Sequence, residues 1–174
     1  MSVTSPPPPA GPPVPAGWAV IPQPSPLAPA AVRVTPGRQA VAFAFVPAGE
    51  YAGYLSTVPD RAAEFAEGHR AYRVAVQQHI GEFLRLTRDG GIDPQPYVVA
   101  IRMVAFTLWC AQAGASSLDP AARAAYAACC ADEPGHPDVT AWPPRGHQPC
   151  WCGSAARYRQ CCGHPAVAAP AVLN

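Results

Sequence analysis

Residues 96–113 read Pro-Tyr-Val-Val-Ala-Ile-Arg-Met-Val-Ala-Phe-Thr-Leu-Trp-Cys-Ala-Gln-Ala, and the reading of this run sets the fold. As one helix, the run carries Val98, Val99, Ile101, Met103, Val104, Phe106, Leu108 and Trp109 on nearly every side. A helix that is apolar all round is buried on most sides, so it belongs at the centre of the domain. Its longest apolar stretch, 97–111, spans about 15 residues around Arg102, too short for a membrane span. With that helix in the middle, the expected fold class is mainly α.

The neighbouring segments extend this reading. Gly114 opens a break over 114–117. Asp119 then stands as a cap before Pro120 at the first position of a further helix, expected to reach about residue 131. It is alanine-rich around Tyr126, which suits close helix packing. On the other side, Thr57, Pro59 and Asp60 form a helix start signal. Phe65, Tyr72, Val76, Ile80 and Phe83 follow at spacings of seven, four, four and three, which places them on one face. Asp89-Gly90-Gly91 ends that helix, since glycine takes the left-handed conformation without steric cost.

Before these helices, Val32 and Val34 alternate with Ala31 and Arg33, and Val41, Phe43 and Phe45 alternate with alanines. Between them Thr35-Pro36-Gly37-Arg38 has Pro and Gly placed for a type II turn. Two period-2 runs around a turn suggest a β-hairpin, although type II turns splay a two-residue loop.

Composition bounds the rest. Proline, at 24 residues, is about three times its usual frequency. Residues 1–30 hold eleven of those prolines, four of them at 6–9. They read as a disordered, polyproline-rich leader in which Trp18 is an aromatic able to dock locally. All twelve positive side chains are Arg and the formal net charge is +1. That balance lacks the basic excess of a dedicated nucleic-acid binder. Residues 1–5 carry no basic side chain and a proline run follows, which is not a signal peptide, so a cytoplasmic protein is expected. The division is a leader at 1–30, a mainly helical domain at 31–135, a linker at 136–144, a compact module at 145–164 and a disordered tail at 165–174.

The seven cysteines separate into two kinds. Cys110 lies in the apolar run and reads as core. Cys129 and Cys130 are adjacent on a predicted helix and point about 100° apart; with His136 they are candidates for a second metal site, against the ordinary reading as core or cap positions. The last four stand in Pro149-Cys150-Trp151-Cys152-Gly153-Ser154-Ala155-Ala156-Arg157-Tyr158-Arg159-Gln160-Cys161-Cys162-Gly163. Two cysteines one residue apart can grip an ion from a tight turn. Ser154 can cap a short helix over 155–160 that returns Cys161 and Cys162 to the first pair, and Gly163 can end it as a left-handed residue. Four thiolates then surround one zinc ion tetrahedrally, with Zn–S near ~2.3 Å. Such a site is closed, with no position for water, so its single Zn²⁺ is structural. Arg145, Arg157 and Arg159 are the charged side chains of 139–174 and can offset the cluster charge. Two disulfides are the competing reading, but adjacent cysteines pair badly and the compartment reads as reducing.

These residues resemble the SEC-C motif, a short zinc-binding module found at the C-terminus of the SecA translocase ATPase and on many other bacterial proteins. Pro149, Cys150, Cys152, Gly153, Ser154, Tyr158, Cys161, Cys162 and Gly163 match its pattern. The resemblance implies the ligands Cys150, Cys152, Cys161 and Cys162, with His164 as the substitute found in some members. It is limited to 145–164. Trp151 stands where the family has proline and Ala155 where it has glycine, while Ala156, Arg157, Arg159 and Gln160 replace its lysines. The basic surface through which the motif contacts partners such as a chaperone or ribosomes is therefore thinner.

Three functions follow. The first is a non-catalytic adaptor that docks a protein partner or a ribosome through the module. The second is an enzyme with a site in the helical body, for which His69, His79 and Glu82 are candidates. His79 and Glu82 share a helix face, but such a pair is more often an ordinary ion pair. The third is nucleic-acid binding through the arginines and Tyr158. No Ser/His/Asp, phosphate-loop or dinucleotide signature is present, so the balance leans away from an enzyme.

Overall fold

The computed structural model describes residues 11–22, 25–58 and 68–168. It overturns the mainly α expectation. The chain forms an α/β fold around a five-stranded mixed sheet of order β1-β2-β3-β4-β5. The strands are β1 (Trp18–Val20), β2 (Ala30–Thr35), β3 (Arg38–Phe45), β4 (Gln95–Ala100) and β5 (Val139–Ala141). The helices are α1 (Ala48–Thr57), α2 (His69–Asp89), α3 (Met103–Ala113), α4 (Pro120–Asp132) and the short α5 (Pro165–Ala168).

The correction lies in the run 96–113. Its first third is β4, which pairs in parallel with β3, and only the rest is the helix α3. A strand covered on both faces is a continuous apolar run, and over six residues periodicity cannot separate it from a buried helix. The β-branched pair Val98-Val99 is the local signal for a strand. Ile101 and Arg102 turn the corner, and Ile101 N–H donates to the Phe45 carbonyl at 2.8 Å.

The hairpin forms. β2 and β3 are antiparallel with Thr35 opposite Arg38, leaving Pro36-Gly37 as the loop and Gly37 at φ +74°. The next connection, from β3 to β4, crosses one face of the sheet through α1 and α2. Helix α1 has no strong periodic pattern, only Tyr51 and Tyr54 as its buried pair. Thr57, read as a helix start, is instead its last residue, and its Oγ1 donates to the Tyr54 carbonyl at 2.7 Å. Pro59, Asp60 and Phe65 lie outside the described residues. In α2, Tyr72, Val76 and Ile80 are buried as their spacing implies, with Gln77 and Leu84 beside them. It ends at Asp89, and the left-handed residue is Gly91, at φ +79°.

β3 sorts the core. Val41, Phe43 and Phe45 point to one face, against Tyr51, Tyr54, Tyr72, Val76 and Ile80. Ala40, Ala42 and Ala44 point to the other, against Phe106, Cys110, Ala122, Tyr126 and Ala127. Strand side chains alternate in this way, so three layers result, with α1 and α2 on one side and α3 and α4 on the other. Asp119 caps α4 as expected, its carboxylate accepting from Ala121 N–H at 2.8 Å. The buried Arg123 of α4 lies over the Tyr54 ring at 4.9 Å and donates to the Pro26 carbonyl at 3.0 Å. Trp18, inside the proline-rich segment, is buried, with Arg33 over its ring and Nε1 donating to Asp132 at 3.2 Å. No helix among the described residues is long and apolar enough to cross a membrane.

Candidate metal centre

After β5 the chain passes Trp142 and Pro143 and enters a knuckle built from a two-stranded ribbon. Pro149 pairs with Arg157. Cys150 N–H donates to the Ala156 carbonyl at 2.8 Å and Tyr158 N–H to the Gln148 carbonyl at 2.9 Å. The turn between them closes with Gly153 N–H on the Cys150 carbonyl at 3.2 Å. Two residues there are left-handed: Gly153 at φ +77° and Ala155 at φ +60°. Ala155 carries a Cβ where the related pattern has glycine, and the left-handed region costs an L-residue about 1–2 kcal/mol.

The short helix expected over 155–160 is only a single 3-10 turn, Tyr158–Gln160. Ser154 is not its cap; the Ser154 hydroxyl lies 3.2 Å from Cys161 Sγ. Gly163 is not left-handed either. Its hydrogen is needed because the Tyr158 ring covers it: a Cβ there would fall 2.6 Å from Tyr158 Cε1. The Tyr158–Gly163 pairing therefore fixes the return of the chain, with Gly163 N–H on the Tyr158 carbonyl at 2.8 Å.

This geometry brings the Sγ atoms of Cys150, Cys152, Cys161 and Cys162 within 4.8 Å of one another, all four residues buried. Cys152 and Cys161 sulfurs are 3.6 Å apart, and all four cysteines are free of disulfides. A tetrahedral site with Zn–S near ~2.3 Å has sulfur–sulfur edges of about 3.8 Å, so the cluster is of the size to hold one metal ion. Hydrogen bonds from Cys150 and Cys162 hold the Cys152 thiol far below its ordinary range, while Cys162, bonded to Cys150 and Cys152, is pushed far above it. One anion is stabilised by neighbouring S–H groups and then opposes a second. A divalent cation removes that repulsion, which suits a four-thiolate donor set to a soft or borderline metal.

The knuckle sits on the α2 face of the sheet. Trp151 is buried with its ring 4.8 Å from Phe45, edge to face. Gln77 of α2 donates through Nε2 to the Cys162 carbonyl at 3.1 Å. Arg73, one turn earlier, donates through Nη1 to Cys161 Sγ at 2.9 Å and lies 3.8 Å from Cys152 Sγ. The cation at the cluster is thus Arg73, whereas Arg145, Arg157 and Arg159 are exposed. Nothing local in the sequence marks Arg73 or Gln77, because their partners lie 88 and 85 residues away.

The other candidates do not assemble. Among the described residues the four cysteines are the one group of three or more such donors close enough for an ion, and Cys129, Cys130 and His136 do not form a second. Burial pushes the Cys130 thiol up to about 12, and His136 Nδ1 accepts from Asp138 N–H. Cys110 is core, as expected. His164 is exposed and its Nδ1 accepts from Ala166 N–H, apart from the cluster. His79 meets the Phe43 ring edge-on, whereas Glu82 pairs with Arg85 at 2.7 Å on the solvent side. His69 lies among Phe45, Tyr51 and Tyr72, with Nε2 3.1 Å from the Val46 carbonyl.

Residues 148–163 match the family model of the SEC-C motif, a zinc-binding motif, and the match is confined to that segment. No curated protein and no solved structure matches the chain.

Proposed function

We propose that this protein is a non-catalytic, zinc-dependent adaptor of the cytoplasm, in which Cys150, Cys152, Cys161 and Cys162 hold one structural Zn²⁺ and the knuckle docks a protein partner or a ribosome. The observation that carries this reading is the closed, buried four-sulfur cluster inside a segment that matches a zinc-binding motif. Four protein sulfurs leave no open position for water, so the ion holds shape rather than activating a nucleophile. Zinc draws off the thiol protons, and its binding free energy becomes folding free energy for the ribbon and its turn. The outer surface of the knuckle supports a docking role. Arg145, Arg157 and Arg159 are exposed there with His147 and His164, and 139–174 contain no acidic residue.

The test is zinc content together with capture of partners from lysate, wild type beside the Cys161→Ser/Cys162→Ser variant. The wild type should carry one zinc per chain, and the variant should lose both zinc and its partners. A variant that keeps its zinc defeats the ligand assignment. A wild type whose retained partners are unchanged in the variant defeats the docking role. Capture that vanishes with nuclease treatment and with rising salt would replace a protein partner with nucleic acid.

A further inference from the structure

We propose that Arg73 of α2 is a built-in part of the metal centre: a positioning residue that sets both the affinity of the cluster for its ion and the electron density on its sulfurs. This rests on the zinc reading above but concerns a residue outside the matched segment. The geometry is specific. Nη1 is 2.9 Å from Cys161 Sγ and 3.8 Å from Cys152 Sγ, so one guanidinium faces a sulfur from each half of the knuckle. Its register is fixed from both sides. Tyr72 and Val76 are wholly buried against the sheet, and Gln77 holds the Cys162 carbonyl one turn away. The guanidinium is therefore aimed at the cluster by the body of the protein and not by the knuckle.

The chemistry follows from charge. Four thiolates around a divalent ion carry a net double negative charge, and these sulfurs are buried. A half-buried guanidinium at hydrogen-bond distance offsets part of that charge, in a place where screening by water is weak. An N–H···S bond also withdraws density from the sulfur, making it a poorer nucleophile. The exposed Arg157 and Arg159 lie where solvent screens them, so they do neither. Outer-shell partners of this kind change metal affinity about 10–100-fold.

The experiment uses the full chain as wild type, Arg73→Met and, as a control, Arg157→Met. Zinc affinity is measured by competition with a chromogenic chelator, and the sulfur-to-metal charge-transfer band by loading Co²⁺. Arg73→Met should bind zinc about 10–100-fold more weakly. Its cobalt band should move to lower energy, because sulfurs relieved of the hydrogen bond are more easily oxidised. Arg157→Met should change neither. If Arg73→Met does not fold, as judged by circular dichroism, Arg73→Gln replaces it. Gln keeps a polar group at the boundary but deletes the charge, so weaker zinc binding is still required. Zinc affinity within twofold of wild type and an unmoved band in the variant that folds overturn the proposal. Equal weakening by Arg157→Met overturns it too, since the effect would then be overall charge. A wild type that takes up no zinc overturns the metal reading beneath it, which is a different result.

Discussion

The two faces of the sheet are held by different means. Under α4, β3 presents Ala40, Ala42 and Ala44, and α4 answers with Ala122, Ala127 and Ala128. Small residues on both sides let helix and sheet approach closely, so that face is held by dense contact between backbones and methyl groups. Under α2, β3 presents Val41, Phe43 and Phe45, and these large side chains hold the helix farther off. The room at that edge is filled by Trp151 and the four-cysteine knuckle. One face is closed by size matching, the other by a plug that carries four clustered sulfurs able to hold a metal ion. The difference teaches that the knuckle is not peripheral to the core: its cysteines and Trp151 belong to the same apolar cluster as Phe45.

The strongest way to break this comparison is to remove the metal. With free zinc held about ten-thousand-fold above its dissociation constant, chelation should cost about 5.5 kcal/mol and lower the melting temperature by roughly 10–20 °C. Melts followed by Tyr and Trp fluorescence at buffered zinc concentrations measure this. A body that melts unchanged would mean that the knuckle is a separate unit.

Next come opposite substitutions on neighbouring residues of β3. Phe45→Ala deletes a ring that contacts Tyr72 and Trp151 and should cost about 3–4 kcal/mol. On the alanine face, Ala42→Leu should cost about 1–3 kcal/mol by overpacking. Phe45→Ala should also weaken zinc binding, and Ala42→Leu should not. Denaturant titrations with and without chelator separate the two. Equal zinc dependence in both would erase the distinction between the faces.

A smaller, favourable effect is expected at Ala155, whose φ of +60° suits glycine. Ala155→Gly should relieve about 1 kcal/mol in the knuckle, read as roughly fivefold tighter zinc binding with little change in the body. The smallest effect is at His79. Burial holds its pKa below the ordinary 6.5, so the folded state favours the neutral ring and the unfolded chain takes up the proton first. The stability it contributes above about pH 6.5 is lost as pH falls through that value towards the folded pKa. His79→Gln should flatten that part of the pH profile of the melting temperature; an unchanged slope would assign it to other groups, such as His69, whose pKa burial also lowers.

Much of the site was legible because its information is local. The spacing of Cys150, Cys152, Cys161 and Cys162 marks the four sulfurs that the fold brings together, although the helix expected between the pairs from Ser154 is a ribbon turn followed by a single 3-10 turn. The same holds for the 35–38 turn, the Asp119 cap and the apolar seam of α2, each decided within a few residues. The run 96–113 was misread because its signal is not local. Apolar residues at every position say only that the segment is buried. Whether it is strand or helix depended on β3 being available to pair with it, and β3 lies more than fifty residues earlier.

The sequence by itself thus determined the four closely spaced cysteines, the hairpin and the Asp119 cap, since each rests on near neighbours in the chain. Only the tertiary structure decided that β4 joins the sheet, that Trp151 plugs the core beside Phe45, and that Arg73 is the cation at the cluster. These contacts join residues 55 to 106 positions apart, and such pairings are chosen by what the whole fold brings together.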